Sequence, residues 1–207
     1  MMDSFTHYSK SNWLKQTALR VCVWFLLCGA AAAYAQVQTE LSQAQAQRGE
    51  EGVLVSAQAN FELPPAVEDA LLKGIAMVFV VQADLMRERW YWYDKRVAGA
   101  ARYMRLAYQP LTRRWRLNIA TGPNATGLAL NQSYDTLEQA MQTIRRVSRW
   151  KIADVADLEA TTKYRVELSF RLDLSQLPRP FQIGTIGQTE WDIAASTVLP
   201  LATDVAK

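Results

Sequence analysis

Alternation of apolar and polar residues with a period of two is the feature that most constrains the fold of this chain. Residues 75–85, 113–119 and 164–174 show it most clearly, because each segment places its apolar side chains on one parity. Successive side chains of a strand point to opposite faces of a sheet, so these segments are predicted to be strands with one buried face. Further strands are predicted at residues 53–61, 102–108, 150–153 and 191–198.

Two short amphipathic helices are predicted between these strands. The first opens at Pro64 and Pro65, where proline suits a first turn, and stops at Gly74, which tolerates a left-handed conformation. The second begins at Asp135, which has capping-box spacing with Glu138. This pattern predicts a mainly β fold, either an antiparallel β-sandwich or a strongly curved sheet with the two helices. A two-layer α+β fold is the alternative.

Residues 1–35 are predicted to be a signal peptide. Three basic residues precede an apolar run at residues 21–33, and residues 33–35 read Ala-Tyr-Ala, which is an A-x-A cleavage pattern. The apolar run is shorter than the roughly 20 residues that a membrane-spanning helix needs. We therefore expect cleavage after Ala35, export to the periplasm and no integral membrane segment in the mature chain.

The mature chain is predicted to hold one domain. Residues 36–51 are rich in Gln and Ala and show no apolar period, which is typical of a flexible leader. Residues 52–200 contain the alternating segments and are expected to form a single β-rich domain. Residues 201–207 are left as a tail.

Cleavage would have a chemical consequence, because Cys22, Cys28 and the only histidine, His7, lie in the removed segment. A chain without cysteine or histidine cannot build disulfides, thiolate or imidazole metal sites, Ser-His-Asp triads or Cys-His nucleophiles. A hydrolase that uses two carboxylates is the enzyme design that stays open, but no spacing among the acidic residues selects a pair. We therefore expect no enzymatic activity, no metal and no cofactor.

The candidate binding residues lie in a strongly basic part of the chain. Residues 87–116 hold nine basic residues against two acidic ones, whereas residues 36–74 hold two against six. Such segregation favours an anionic partner, although the same charges are also typical of an ordinary solvated face. Export and the absence of a basic run argue against nucleic acid. The candidates are Arg87, Arg89, Tyr91, Tyr93, Lys95, Arg102, Arg105, Arg114 and Arg116, of which the last four are expected to cluster on one hairpin.

Four consecutive aromatic residues occupy positions 90–93 within this basic part. Strand parity divides them: Trp90 and Trp92 are expected in the core or in the seam of the sheet, whereas Tyr91 and Tyr93 are expected at the surface. This division requires the buried face to change side near residues 86–88, most simply through a β-bulge, unless both faces are covered.

Four separate blocks of the chain together resemble a known family. They are FELPPAVEDALLKGI at 61–75, RERWYWYDKRVA at 87–98, RLAYQPLTRRWRL at 105–117 and LDLSQLPRPFQIG at 172–184. In this order they are similar to exported proteobacterial proteins grouped as domain of unknown function 4390, over residues 52–200. The resemblance implies no catalytic residue. It implies a role in envelope signalling, since genes of the family lie beside those of a nitrogen-type sensor kinase and its regulator.

Two functions are therefore open. The first is an exported, non-enzymatic interaction module that contacts an envelope sensor or another periplasmic protein. The second is a glycan- or anionic-lipid-binding domain that uses Tyr91, Tyr93 and the nearby arginines. Solvent exposure of residues 87–116 is the observation that separates a structural seam from a binding surface.

Overall fold

The computed structural model describes residues 39–203, except residues 90, 92, 123–128, 160–161, 180 and 182–190. The predicted signal peptide lies outside the described residues. The strands are β1 (Glu40–Gly49), β2 (Gly52–Asn60), β3 (Met77–Arg87), β4 (Lys95–Gln109), β5 (Arg114–Ala120), β6 (Leu130–Tyr134), β7 (Arg146–Ala153), β8 (Tyr164–Leu172) and β9 (Ala194–Thr203). The helices are α1 (Pro65–Leu72) and α2 (Leu137–Arg145), and short 3₁₀ turns occupy Val155–Asp157 and Leu174–Gln176.

These strands form one nine-stranded sheet in the order β6-β5-β4-β3-β8-β9-β1-β2-β7. Neighbouring strands are antiparallel, except that β1 and β9 are parallel. The sheet curls strongly into a half-barrel, which confirms the predicted mainly β fold with a strongly curved sheet. Curling is the expected result of the right-handed twist that accumulates over many strands.

The core lies on the concave face of the sheet, where alternate residues of the strands meet. Phe61, Phe79 and Phe170 form its aromatic centre, with ring centroids 5.1–6.0 Å apart. All three side chains are buried, and the alternation that predicted β3 and β8 supplies two of them. Each buried phenylalanine removes a large apolar area from water, so this cluster is a major source of stability.

Both predicted helices are present, and each buries one apolar face against the core. In α1, Val67 and Leu71 are buried, and Gly74 follows the helix with a φ of 84°, as its left-handed preference predicts. In α2 the predicted cap is wrong by one residue. The hydroxyl of Thr136 accepts the hydrogen bond from the backbone N–H of Gln139, at 3.3 Å. Asp135 is left outside the helix.

The flexible leader predicted at residues 36–51 is wrong, because Glu40–Gly49 forms β1 in the interior of the sheet. β1 pairs antiparallel with β2 and parallel with β9, and Ala46 lies in the core. A β-bulge explains why the alternation is hidden. Residues 43 and 44 of β1 together face one residue of β2. The side chains that point to the core are therefore odd-numbered before the bulge, as at Leu41, and even-numbered after it, as at Ala44. The predicted tail is also too long, since β9 continues to Thr203.

Candidate functional site

Tyr91 and Tyr93 lie at the surface on the connection between β3 and β4, as predicted. Their exposed fractions are 69% and 90%, which is high for aromatic side chains of this size. Arg89 and Lys95 flank them and are also exposed. We call Arg89, Tyr91, Tyr93 and Lys95 the tyrosine surface. Trp90 and Trp92 lie outside the described residues.

Hydrogen bonds and ion pairs fix the base of this connection to the sheet. One carboxylate oxygen of Asp94 accepts a hydrogen bond from the backbone N–H of Arg89 at 3.1 Å, and the other forms an ion pair with Arg165 of β8. The backbone N–H of Glu88 donates to the carbonyl of Lys163 at 3.1 Å. Together these contacts hold both ends of the segment that carries the two tyrosines.

Two cations near the tyrosines are neutralised within the protein, the predicted Arg87 and its neighbour Arg96, which was not among the candidates. Arg87 forms a 2.7 Å ion pair with Glu159, and Arg96 forms one of the same length with Asp84. Glu167 and Asp94 beside Arg165 raise the pKa of its guanidinium, through a hydrogen bond and through charge. Arg87 therefore serves to fasten the connection, and Arg89 and Lys95 are the cations of the tyrosine surface.

The bulge predicted near residues 86–88 exists, but its extra residue is on the neighbouring strand. Leu85 pairs with Ala98 and Met86 with Arg96, which leaves Val97 of β4 unpaired. β3 itself pairs regularly with β8 up to Arg87, where it ends. Because β3 ends at Arg87, its alternation does not explain the exposure of the tyrosines.

The four arginines predicted to cluster on the β4–β5 hairpin lie on two different faces. Arg105 and Arg116 are exposed on the convex face, opposite in parity to buried Leu106 and Leu117. Arg114 is on the same face and forms a 3.0 Å ion pair with Asp135. Asp135, which was expected to cap α2, therefore pairs with Arg114 instead.

Arg102 has the opposite parity and enters the concave side, so the predicted four-residue cluster is wrong. Its guanidinium lies over the ring of Trp150 in β7, with 5.1 Å from the guanidinium carbon to the ring centroid. Burial lowers the pKa of Arg102 from its usual value. Among the described residues no carboxylate lies within ion-pair distance of it. A partly desolvated cation without a counter-charge is costly, and the ring of Trp150 offsets only part of that cost.

A polar cleft that the sequence analysis missed runs beside Arg102, where α2 meets β7. It consists of two open grooves that share Gln142, Arg146 and Ser148. The smaller groove, of about 620 Å³, is also lined by Arg102, Tyr134, Gln139 and Thr143. The larger groove, of about 860 Å³, is also lined by Gln43, Ser56, Ala57, Gln58, Glu138, Arg145, Val147 and Arg149. We call the two grooves together the polar cleft.

Two bulges shape the larger groove from opposite sides of β2. Gln43 of β1 and Arg149 of β7 both adopt the left-handed region, with φ of 49° and 43°. Residues 148 and 149 face Ser56 alone, and the hydroxyl of Ser56 accepts a hydrogen bond from the backbone N–H of Arg149 at 3.0 Å. Non-glycine residues in this conformation are strained, and such strain concentrates near binding sites.

Arginine dominates the charge of the polar cleft. Arg145 forms a 3.1 Å ion pair with Glu138 and donates to the carbonyl of Phe61 at 3.0 Å, but its Nε atom is buried with no hydrogen-bond partner in the described structure. Arg146 donates to the hydroxyl of Ser148 at 3.1 Å. Neither Arg146 nor Arg149 has an ion pair with any described carboxylate. The sequence signal for these residues was RRVSR at 145–149, immediately after the apolar stripe of α2.

The described part of the chain offers neither a metal-ion site nor a membrane-spanning helix. No group of three or more His, Cys, Asp or Glu side chains is arranged to hold a metal ion. No helix in this part is both long enough and apolar enough to cross a membrane. Asp173, one of the acidic residues of the described part, accepts hydrogen bonds from the backbone N–H and the hydroxyl of Ser175.

Comparison with known protein families identifies a family. The family model described as Domain of unknown function (DUF4390) matches residues 36–199. No curated protein and no solved structure matches the chain.

Proposed function

The chain belongs to the DUF4390 family, as its four sequence blocks indicated, and since that family has no assigned function we propose one from the geometry. The protein is an exported interaction module that docks onto another protein of the cell envelope through the tyrosine surface. The periplasmic part of a membrane sensor is the partner class that the family resemblance implies. Export rests on the signal peptide predicted at residues 1–35.

The exposure of Tyr91 and Tyr93 is the observation that carries this proposal. Tyrosine is enriched in protein interfaces because it buries a large rigid ring and still offers a hydroxyl for hydrogen bonding. Two such rings, exposed by 69% and 90%, would leave water when a partner binds. Truncation of an aromatic hot spot at the centre of an interface costs about 2 kcal/mol or more of binding free energy, and about this loss is expected here.

Preorganisation of the tyrosine surface supports the same conclusion. Asp94 ties together the two ends of the segment and joins them to β8 through Arg165. A segment whose base is already ordered loses less conformational entropy on binding than a free loop does. The contacts of Asp94 therefore favour binding without taking part in it.

The charges around the tyrosines indicate an acidic partner surface. Arg89 and Lys95 are exposed and have no ion pair with any described carboxylate, whereas the nearby Arg87 and Arg96 are paired. Glu88 is the exposed acidic residue of the same connection. Two cations against one carboxylate steer an acidic partner towards the tyrosines and make the association rate sensitive to salt.

Site-specific photocrosslinking in living cells tests the proposal. A photoreactive amino acid is placed at Tyr93, and in a separate strain at Leu111, which is fully exposed in the β4–β5 turn. We expect a discrete protein adduct from Tyr93 and none from Leu111. In the Tyr93 strain, Tyr91→Ser should reduce the adduct by about tenfold or more, because it removes an aromatic anchor from the interface.

The alternative use of the same surface gives a different result. If the surface binds a glycan or an anionic lipid, the adduct will contain no second polypeptide in peptide mass analysis and will lose mass on glycosidase or lipase treatment. Equal adducts from Tyr93 and Leu111, or an adduct that Tyr91→Ser does not reduce, would contradict a docking role for the tyrosines.

A further inference from the structure

The polar cleft carries a second inference, which does not depend on the proposed function. It lies on other elements than the tyrosine surface, namely α2, β7 and the strands beside them. Four guanidinium groups line it, those of Arg102, Arg145, Arg146 and Arg149, and Glu138 is the one carboxylate among its lining residues. This excess of positive charge favours a ligand that carries several negative charges.

Two of the four arginines lack a partner that their surroundings would normally require. Arg102 is half-buried and has no ion pair with any described carboxylate, so its charge is partly removed from water and only the ring of Trp150 compensates for this in part. The Nε atom of Arg145 is buried and makes no hydrogen bond with the described residues. Buried donors and charges are nearly always satisfied in folded proteins. An anion bound in the cleft would satisfy the charge of Arg102 directly.

The remaining lining selects the chemical class of that anion. Beside the arginines the cleft presents amides and hydroxyls, including Gln142, Ser148 and Thr143, and its apolar members Ala57 and Val147 are buried. A lipid would need an apolar wall for its acyl chains, and a peptide that binds tightly would need pockets for apolar anchors. Amides donate and accept hydrogen bonds at once, which suits a ligand with many hydroxyl groups.

We propose that the polar cleft binds an acidic oligosaccharide, with the arginines on its carboxylate or phosphate groups and the glutamines and hydroxyls on its sugar hydroxyls. Arg146 is the central contact, because it lines both grooves. The combined volume, about 620 and 860 Å³ in the two grooves, accommodates more than one sugar ring. Each arginine–carboxylate pair adds bidentate geometry as well as charge.

Calorimetric titration of the purified protein with tri-galacturonate, a carboxylate-bearing trisaccharide, tests this proposal. Maltotriose, which has hydroxyls but no charge, and hexaglutamate, which has carboxylates but no sugar, serve as the comparison ligands. We expect saturable binding of tri-galacturonate that weakens with salt, and at least tenfold weaker binding of both other ligands. Arg146→Gln and Arg102→Gln should each weaken binding by about tenfold or more, because each removes a charge-assisted hydrogen bond.

Arg171→Gln is the matched control, because Arg171 is exposed on β8 and lines neither groove. It should leave the affinity for tri-galacturonate unchanged, and so should Tyr91→Ser, which affects only the proposed docking function. Arg146 is exposed, so Arg146→Gln provides a folded variant even if Arg102→Gln lowers stability. No binding of tri-galacturonate at millimolar concentration, equal binding of maltotriose, or an Arg146→Gln variant with full affinity would overturn the proposal. If hexaglutamate binds more tightly than tri-galacturonate, the proposed sugar is wrong and the ligand of the polar cleft is an acidic peptide.

Discussion

Ala46 offers the sharpest test of the strand order, because it lies in β1. This strand alone connects the two parts of the described sheet on either side of it. Without β1, the sheet would divide into the six strands from β6 to β9 and the pair β2–β7. The side chain of Ala46 is 3% exposed and belongs to the core, whereas its neighbour Gln47 is exposed. Ala46→Asp therefore places a carboxylate in the core, whereas Gln47→Asp places one in solvent.

The expected loss of stability differs strongly between these two variants. At position 46 the added carboxyl group overpacks a filled core, which costs about 1–3 kcal/mol, and loses its hydration, which costs several kcal/mol more. We expect Ala46→Asp to lower the free energy of unfolding by about 4 kcal/mol or more, against a total of about 5–15 kcal/mol for a domain. Gln47→Asp should change it by less than about 0.5 kcal/mol, as exposed substitutions usually do.

Urea unfolding followed by tryptophan fluorescence measures the difference. With a slope of about 2 kcal/mol per molar urea, a loss of about 4 kcal/mol lowers the unfolding midpoint by about 2 M. Desolvation raises the pKa of the carboxyl group at position 46 in the folded state above the unfolded value of about 3.9. The penalty is then largest above the folded-state pKa and becomes smaller as the pH falls towards about 4. Equal midpoints for the two variants at pH 7 would refute the assignment of β1 to the interior of the sheet.

Three further predictions concern local contacts. Asp94→Asn should speed amide exchange at Arg89, whose N–H donates to the Asp94 carboxylate, and cost about 1 kcal/mol of stability; unchanged exchange would show that this contact does not order the segment. Arg149→Gly should be more stable than Arg149→Ala by about 1 kcal/mol in thermal unfolding, because glycine adopts the observed φ of 43° without strain; equal stabilities would contradict the strained bulge. Asp154 raises the pKa of Lys151 above 10.5 through a hydrogen bond, so Asp154→Asn should lower that pKa in an NMR titration. The pair stabilises the fold at neutral pH and loses this effect as the pH rises through the raised pKa, and an unchanged Lys151 pKa would exclude the contact in solution.

Alternation in the sequence was sufficient to predict those strands that are regular and have one buried face. β3 and β8 were predicted because Phe79 and Phe170 keep a constant parity with their apolar neighbours over the whole strand. β1 was missed because the bulge at Gln43 changes parity within it, so that Leu41 and Ala46 cannot share a simple period. A bulge is set by pairing with another strand, and a single segment of sequence carries no direct signal for that pairing.

The candidate site was predictable only in part, for a related reason. Exposure of Tyr91 and Tyr93 was predicted correctly. The reason given for it, alternation along a strand, does not apply, because β3 ends at Arg87. Arg102 was grouped with Arg105, although their positions in β4 differ by an odd number and place them on opposite faces. The polar cleft depends on α2, β7 and β2 meeting in space. Arg145, Arg146 and Arg149 were not singled out in the sequence, and Arg102 was assigned to the hairpin instead.

The parallel pairing of β1 with β9 has a consequence for the time course of folding. Ala46 and its partner Leu201 are about 155 residues apart in the sequence. Contacts of such long range close a large loop before they gain any stabilisation, and folds that depend on them form slowly. β9, which β1 needs as its neighbour, follows all the other described strands in the sequence, so a nascent chain exposes the edges of both β1 and β8 until β9 is complete. Open strand edges favour aggregation, so we expect this interval of biogenesis to be aggregation-prone and open to chaperones that shield strand edges.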